Sequence, residues 1–258
     1  MATMTKAKAA VLVTLLVWPQ GAFAQMKVII SGGFSGAYEK LLPEFEQASG
    51  IKVTTGSGAS QGDGPQTIGA QLARGEKADV VILSREGLYG LIAANRIATG
   101  SDADLATVGI GIAVRKGAPK PDLGTVDAVK QALLNARVVA VPASTSGIWL
   151  VKELFPKLGI SETINVKVSP RGAGATAMVA AGEADIGVLP VSEILHDKGV
   201  ELAGVFPAEI QFIQTFSAAV VAGAGEAEAG KRLIEFLTSP RAAEAIKGAG
   251  LEPSGAAR

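Results

Sequence analysis

The 258-residue chain has no cysteine and one histidine. Without thiols it can have no disulfide framework, no cysteine nucleophile and no sulfur-ligated zinc or iron–sulfur centre. With one histidine, a histidine-based metal centre is not expected either. Lys and Arg total 24, as do Asp and Glu, so no net basic field exists to hold nucleic acid. Aromatics are only 5% of the residues. The apolar run at 9–18 is shorter than the ~20 residues that span a bilayer, and no later segment reads as a span. What is plentiful is glycine, 32 residues, in a chain that is 48% hydrophobic. This suits an α/β protein whose turns act through backbone groups. The length fits one large domain or two lobes of roughly 100–150 residues each.

The first 24 residues read as a secretory signal peptide. Lys6 and Lys8 precede the apolar run, Pro19 and Gln20 end it, and Ala22-Phe23-Ala24 is a small-x-small cleavage site. Cleavage after Ala24 is expected. It would remove two lysines and no acid, leaving a formal charge of −2. A cysteine-free exported chain suits the bacterial periplasm, where stray thiols oxidise.

Beyond this segment, β- and α-type patterns alternate. Strands are expected at 27–30, 51–55, 79–83, 107–115, 138–141, 166–168, 186–189, 199–202 and 211–221. Helices are expected at 37–49, 65–74, 125–135, 148–158, 173–181, 192–197, 228–237 and 240–248. The alternation argues for parallel sheets with helices on both faces. The long β stretches near 108–115 and 211–221 are the candidate crossings between two lobes. The expected organisation is 25–108 in lobe 1, 109–212 in lobe 2, and 213–258 returning to lobe 1.

Three strand-to-helix junctions are alike in composition. They are Ser31-Gly32-Gly33-Phe34-Ser35, the loop 56–62 with Ser57, Gly58, Ser60 and Gln61, and Ala143-Ser144-Thr145-Ser146-Gly147. Each places hydroxyls and small residues before a helix, where unpaired N–H groups and the helix dipole favour an anion. A serine there can also be a plain helix cap. None of the three is a phosphate-binding P-loop or a dinucleotide fingerprint. In open α/β sheets, ligands bind beyond the carboxyl ends of the strands, where these loops belong. Arg85, after the third strand, and Arg171, before a glycine-rich helix start, could clamp a carboxylate. Glu193 follows Pro190 at a strand exit and could act as a base there, or simply sit against the helix dipole. His196 reads as a helix C-terminus at the surface. One histidine and no nucleophile elbow leave no catalytic triad.

These residues carry a family resemblance over nearly the whole chain after residue 24. It runs from Ser31-Gly32-Gly33-Phe34 through the 56–62 loop, the segment Arg74-Gly75-Glu76-Lys77-Ala78-Asp79, residues 143–147 and Gly182-Glu183-Ala184-Asp185-Ile186-Gly187 to Phe236-Leu237-Thr238-Ser239-Pro240. The chain resembles periplasmic solute-binding proteins related to the molybdate-binding component of ABC transporters. Ser31-Gly32-Gly33-Phe34, Tyr38, the 74–79 segment and Ser192-Glu193 resemble the branch that includes aconitate isomerase. The resemblance implies two α/β lobes, two crossings and a ligand in the cleft between them. It implies that hydroxyls and amides near Ser31 and from Ser57 to Ser60, with the 143–147 loop, hold the ligand. Where the molybdate binders have a tyrosine after the late strand, this chain has Pro190.

That replacement, with Arg85 and Arg171, favours an organic di- or tricarboxylate over molybdate. Ligand-binding residues are therefore expected among Ser31, Gly32, Gly33, Phe34, Ser57, Gly58, Ser60, Gln61, Arg85, Ser144, Thr145, Ser146, Arg171 and Pro190. The expected function is an exported binding protein for a small anion, with an ABC permease as partner. The alternative is an isomerase that interconverts cis- and trans-aconitate, with Glu193 or a cleft hydroxyl as the base. Neither function needs a cofactor or a metal, neither involves nucleic acid, and a monomer is expected.

Overall fold

The structure is a computed structural model that describes residues 25–255. The signal peptide read at residues 1–24 lies outside them. The first lobe is built on β1 (Gln25–Ile30), β2 (Lys52–Ser57) and β3 (Val80–Ser84), with α1 (Gly32–Ser49), α2 (Ile68–Ala73) and α3 (Arg85–Ala93) between and after them. β4 (Ala103–Arg115) carries the chain into the second lobe. That lobe contains α4 (Val126–Asn135), β5 (Val139–Pro142), α5 (Thr145–Trp149), α6 (Phe155–Lys157), β6 (Val166–Ser169), α7 (Gly172–Ala180), β7 (Ile186–Pro190), α8 (Val191–His196) and β8 (Val200–Val205). β9 (Ile213–Val220) returns to the first lobe, followed by α9 (Ala227–Thr238), α10 (Ala243–Lys247) and β10 (Glu252–Pro253).

One strand path, β2-β1-β3-β9-β4-β7-β5-β6, runs through both lobes. β4 makes it continuous. Its residues 103–109 pair with β9, and from Ile110 onward it pairs with β7. The β1–β2, β1–β3, β5–β6 and β5–β7 pairs are parallel. The pairs made by β4 and β9 are antiparallel. The all-parallel expectation therefore holds only for the outer strands of each lobe. A strand that crosses out and one that crosses back must run in opposite directions.

Each lobe packs its sheet between two apolar clusters. In the first, Val28, Val80 and Ile82 meet Phe34, Tyr38, Leu41 and Leu233 on one face, while Ile29, Val81 and Leu83 meet Ile68 and Leu88 on the other. In the second, Ile112, Val139, Val141 and Val188 pack with Leu133, Leu154 and Phe155, opposite Ala113, Ala140, Val179 and Leu189. Strand residues buried on both faces explain the continuous apolar runs in the sequence.

Several helix starts differ from the sequence expectation, for identifiable reasons. α1 begins at Gly32 and not near 37, because Ser31 is extended and the two glycines already take up the helix. α2 starts at Ile68 and not at Pro65, because Thr67 Oγ1 accepts the Ala70 N–H at 3.2 Å and fixes the cap there. The 148–158 helix starts at Thr145 and passes through a π turn over Leu150–Leu154. The predicted cap of α4 is present: Thr125 Oγ1 accepts from Ala128 N at 3.1 Å.

A side chain joins the two crossings. Gln211 Oε1 accepts from Ile110 N at 2.7 Å and from Phe212 N at 3.0 Å, while its Nε2 donates to the carbonyls of Ile110 and Phe206. The amide spans the point where β4 changes lobes.

Candidate functional site

The carboxyl ends of β1, β2, β3, β5, β6 and β7 all lead to one region between the lobes. Ser31, Gly32, Gly58, Ala59, Ser60, Pro142, Ser144, Ser146, Arg171, Gly172, Pro190, Glu193, Gln214 and Phe216 enclose an inner cavity of about 20 Å³. Gly32, Arg171 and Glu193 also line an adjoining outer cavity of about 650 Å³, together with Ser35, Glu39, Ser57, Thr176 and His196. These three residues thus form the wall common to both spaces.

The lobes meet through a short polar chain. Thr145 Oγ1 donates to Gln61 Oε1 at 2.8 Å, so the 2.7 Å contact between Ser84 and Thr145 has Ser84 as its donor. Arg171 Nη1 donates to Ser57 Oγ at 2.8 Å, and Ser192 Oγ donates to the Gly33 carbonyl at 2.7 Å. Gly62 presses against the Ala143 carbonyl from the opposite lobe. The cleft is therefore closed by direct contacts.

Glu193 sits inside this closure at the first turn of α8. The residue is only partly covered, but its Oε2 is sealed from solvent and has no hydrogen-bond partner. The carboxylate lies between the first residues of α1 and α7. A methyl group on Gly32 would stand 3.0 Å from Glu193 Oε1, and one on Gly172 would overlap Oε2 outright. Burial pushes its pKa up to about 7, against an opposing pull from the Arg171 guanidinium. Burial raises a carboxyl pKa because the charged form loses hydration. Ser31 Oγ and Gln214 Oε1 are likewise buried without partners. An unsatisfied buried polar group costs about 1–3 kcal/mol, and three of them face one cavity.

The structure gathers Ser31, Gly32, Gly58, Ser60, Ser144, Ser146, Arg171, Pro190 and Glu193 around the inner cavity. Ser57, Gln61 and Thr145 serve as bridges between the lobes. Ser60 Oγ also accepts from Ser84 N at 2.9 Å, which fixes its loop to β3. Gly33 lies against the Phe216 ring, where a Cβ would clash. Phe34 is a correction: it is fully buried in the first lobe's core and does not line the cleft. Arg85 is another. It is bound to Asp102 and Asp104, Ser217 also bonds Asp104, and Arg85 lines neither cavity. Two nearby aspartates outcompete a cleft for one guanidinium. His196 is exposed and stands 3.7 Å from Glu39, and both line the outer cavity. Gln214 and Phe216 line the cavity without having been expected there. Their one sequence signal is a glutamine in phase with the buried positions Phe216 and Ala218, beside the exposed Ile213. Among the described residues, no three His, Asp or Glu side chains gather as a metal-binding group.

Residues 26–252 match the family model described as bacterial extracellular solute-binding protein. The chain belongs to that family. Over 233 residues it is 38% identical to aconitate isomerase of Pseudomonas sp, covering 88% of this chain and 87% of the relative. It is 25% identical to the molybdate-binding protein ModA of Escherichia coli strain K12, covering 86% and 87%. The solved sulfate-binding protein SubI of Mycobacterium tuberculosis superposes with a TM-score of 0.70 at 22% identity, over 91% of this chain and 88% of that one. The Azotobacter vinelandii periplasmic molybdate-binding protein does so at 0.68 and 21%, over 88% and 98%. At these identities the structural likeness establishes the two-lobed fold.

Proposed function

We propose that the protein takes a small di- or tricarboxylate between its lobes and isomerises it by an allylic proton shift, with aconitate as the substrate. The observation that carries this reading is Glu193: a partly covered carboxyl whose Oε2 is sealed from solvent without a hydrogen-bond partner, between two helix starts and near Arg171. A site that only held an anion would gain nothing from a carboxyl group that repels it when ionised. A proton-transfer site needs such a group, with a pKa near the working pH. The 38% identity to an aconitate isomerase supports the same reading.

In that reaction Glu193 takes a proton from the methylene carbon. The released electron pair spreads over the allylic unit and onto the adjoining carboxylate, stabilised there by donors in the cleft. Glu193 then returns the proton to the former vinylic carbon, and the double bond moves by one position. Atoms and electrons balance without a cofactor. Arg171 and the starts of α1 and α7 supply the local positive potential that an overall acidic mature chain lacks.

The second reading is carriage of the carboxylate to an ABC permease after export to the periplasm. The directly hydrogen-bonded lobe closure and the Gln211 staple at the crossings favour it. One experiment separates the two. The protein purified from residue 25 onward is incubated at micromolar concentration with cis-aconitate, and trans-aconitate is followed by NMR. Turnover is expected, with Glu193→Gln slower by about 10²- to 10⁴-fold while binding of the saturated propane-1,2,3-tricarboxylate persists. Binding without turnover in the unaltered protein leaves carriage. Tight molybdate binding with no carboxylate response overturns both.

A further inference from the structure

Two glutamines stand three residues apart on the return crossing, and the fold uses them in opposite ways. The Gln211 amide makes four hydrogen bonds, to the backbone of Ile110, Phe206 and Phe212. Gln214 is 4% exposed, lines the inner cavity, and its Oε1 has no partner. Its strand position is fixed by pairing with Val108 in β4. A core glutamine of this kind is costly, and an apolar side chain of the same shape would remove the cost. Three other buried hydroxyls at the closure are satisfied: Ser60 by Ser84 N, Ser84 by Thr145, and Ser192 by the Gly33 carbonyl. Ser31, on the same cavity and 4% exposed, has an orphaned oxygen too, as does Glu193.

We propose that Gln214 is a substrate-positioning and specificity residue, whose amide, together with Ser31 Oγ, receives a carboxylate of the ligand at the inner cavity. The amide presents an acceptor and two donors, and a half-turn of its last torsion exchanges them. With Nε2 turned inward, it donates to a carboxylate oxygen without bringing a charge into the cleft. Being neutral, it leaves the charge balance to Arg171 and Glu193. Because β9 is paired with β3 on one side and β4 on the other, the amide projects from a fixed central strand. From there it can set which end of a tricarboxylate faces Glu193. In the isomerisation, the carboxylate so held is a place where the enolate-like charge can settle, and a fixed donor there is worth more in the transition state than in the ground state.

This inference rests on the carboxylate reading of the cleft, and the test keeps the two apart. Gln214→Leu and Gln214→Asn are compared with the unaltered protein by thermal unfolding without ligand, by calorimetry with propane-1,2,3-tricarboxylate, and by kcat and KM with cis-aconitate. The expected result for Gln214→Leu is an unliganded Tm equal to or above that of the unaltered protein, with tricarboxylate affinity lower by about 10- to 100-fold. Gln214→Asn keeps the amide but withdraws it by one methylene, and is expected to fall between the two. A side chain retained only for folding would instead lower Tm and leave the affinity of the folded protein intact, and that pattern overturns the inference. Unchanged tricarboxylate binding in Gln214→Leu overturns it as well, while the carboxylate reading stands. No carboxylate response in the unaltered protein overturns both.

Discussion

At the scale of single residues, glycines at the head of two helices act as reserved space. Gly172 opens α7 with ordinary helical backbone, so alanine is conformationally acceptable there. What forbids the methyl is Glu193 Oε2, the end of a flexible side chain that can be pushed aside. Gly172→Ala should therefore fold well and displace the carboxyl group. Alanine also costs the unfolded chain some of its freedom, which offsets part of the local strain. The expected outcome is a Tm within about 3 °C of the unaltered protein, since ~1 kcal/mol moves a chain of this size by ~2–4 °C. Turnover of cis-aconitate should drop by at least tenfold, a typical consequence of misplacing a catalytic group by about an ångström. Steady-state kinetics beside calorimetric unfolding checks both halves. Full activity in Gly172→Ala would remove Glu193's present position from the mechanism.

At the scale of elements, closure depends on loops meeting across the cleft, and Gly62 tests it. Its φ of +112° is a conformation that L side chains rarely adopt, and a Cβ would strike the Ala143 carbonyl in the other lobe. Gly75, with φ of +86° and nothing within 4 Å of a Cβ, is the matched control, because it carries backbone strain alone. Gly62→Ala should hold the lobes apart. Small-angle scattering should then show loss of ligand-induced compaction and affinity at least tenfold weaker, while Gly75→Ala loses only stability. Equal behaviour of the two variants would separate closure from binding. Much of this architecture is legible in sequence, because buried strands and glycine-serine junctions are local patterns. Ser31, the 56–62 loop and 143–147 reach the cleft for that reason. What is not legible depends on partners distant in the chain. Arg85 reads as a cleft residue until Asp102 and Asp104 capture it, and Phe34 reads as loop until α1 starts at Gly32, five residues before the expected 37. Gln214 is hidden in a β stretch, since only the fold reveals that its neighbours leave its amide unpaired.

At the scale of the whole molecule, Glu193 ties function to global stability through protons. In the folded protein it keeps its proton up to about pH 7, while in the unfolded chain it releases it near the ordinary value of 4.5. Between these values the folded state binds more protons than the unfolded state. Stability must therefore fall as pH rises through this window and level off above it. The full cost above pH 7 is on the order of 3 kcal/mol, given ~1.36 kcal/mol per pH unit of displacement. The other titrating groups are common to a Glu193→Gln variant, so the difference between the two proteins isolates this one. Calorimetric Tm should match in both near pH 4.5. By pH 8 the variant should be higher by several degrees, reflecting removal of a buried negative charge. The same proton sets the activity profile: kcat/KM for cis-aconitate should rise with pH through about 7 as Glu193 becomes the competent base. A Tm difference that stays constant from pH 4.5 to 8 would mean that Glu193 is not buried as a neutral acid. The stability sacrificed at neutral pH would then need another source, and the case for a proton-transferring cleft would lose its physical basis.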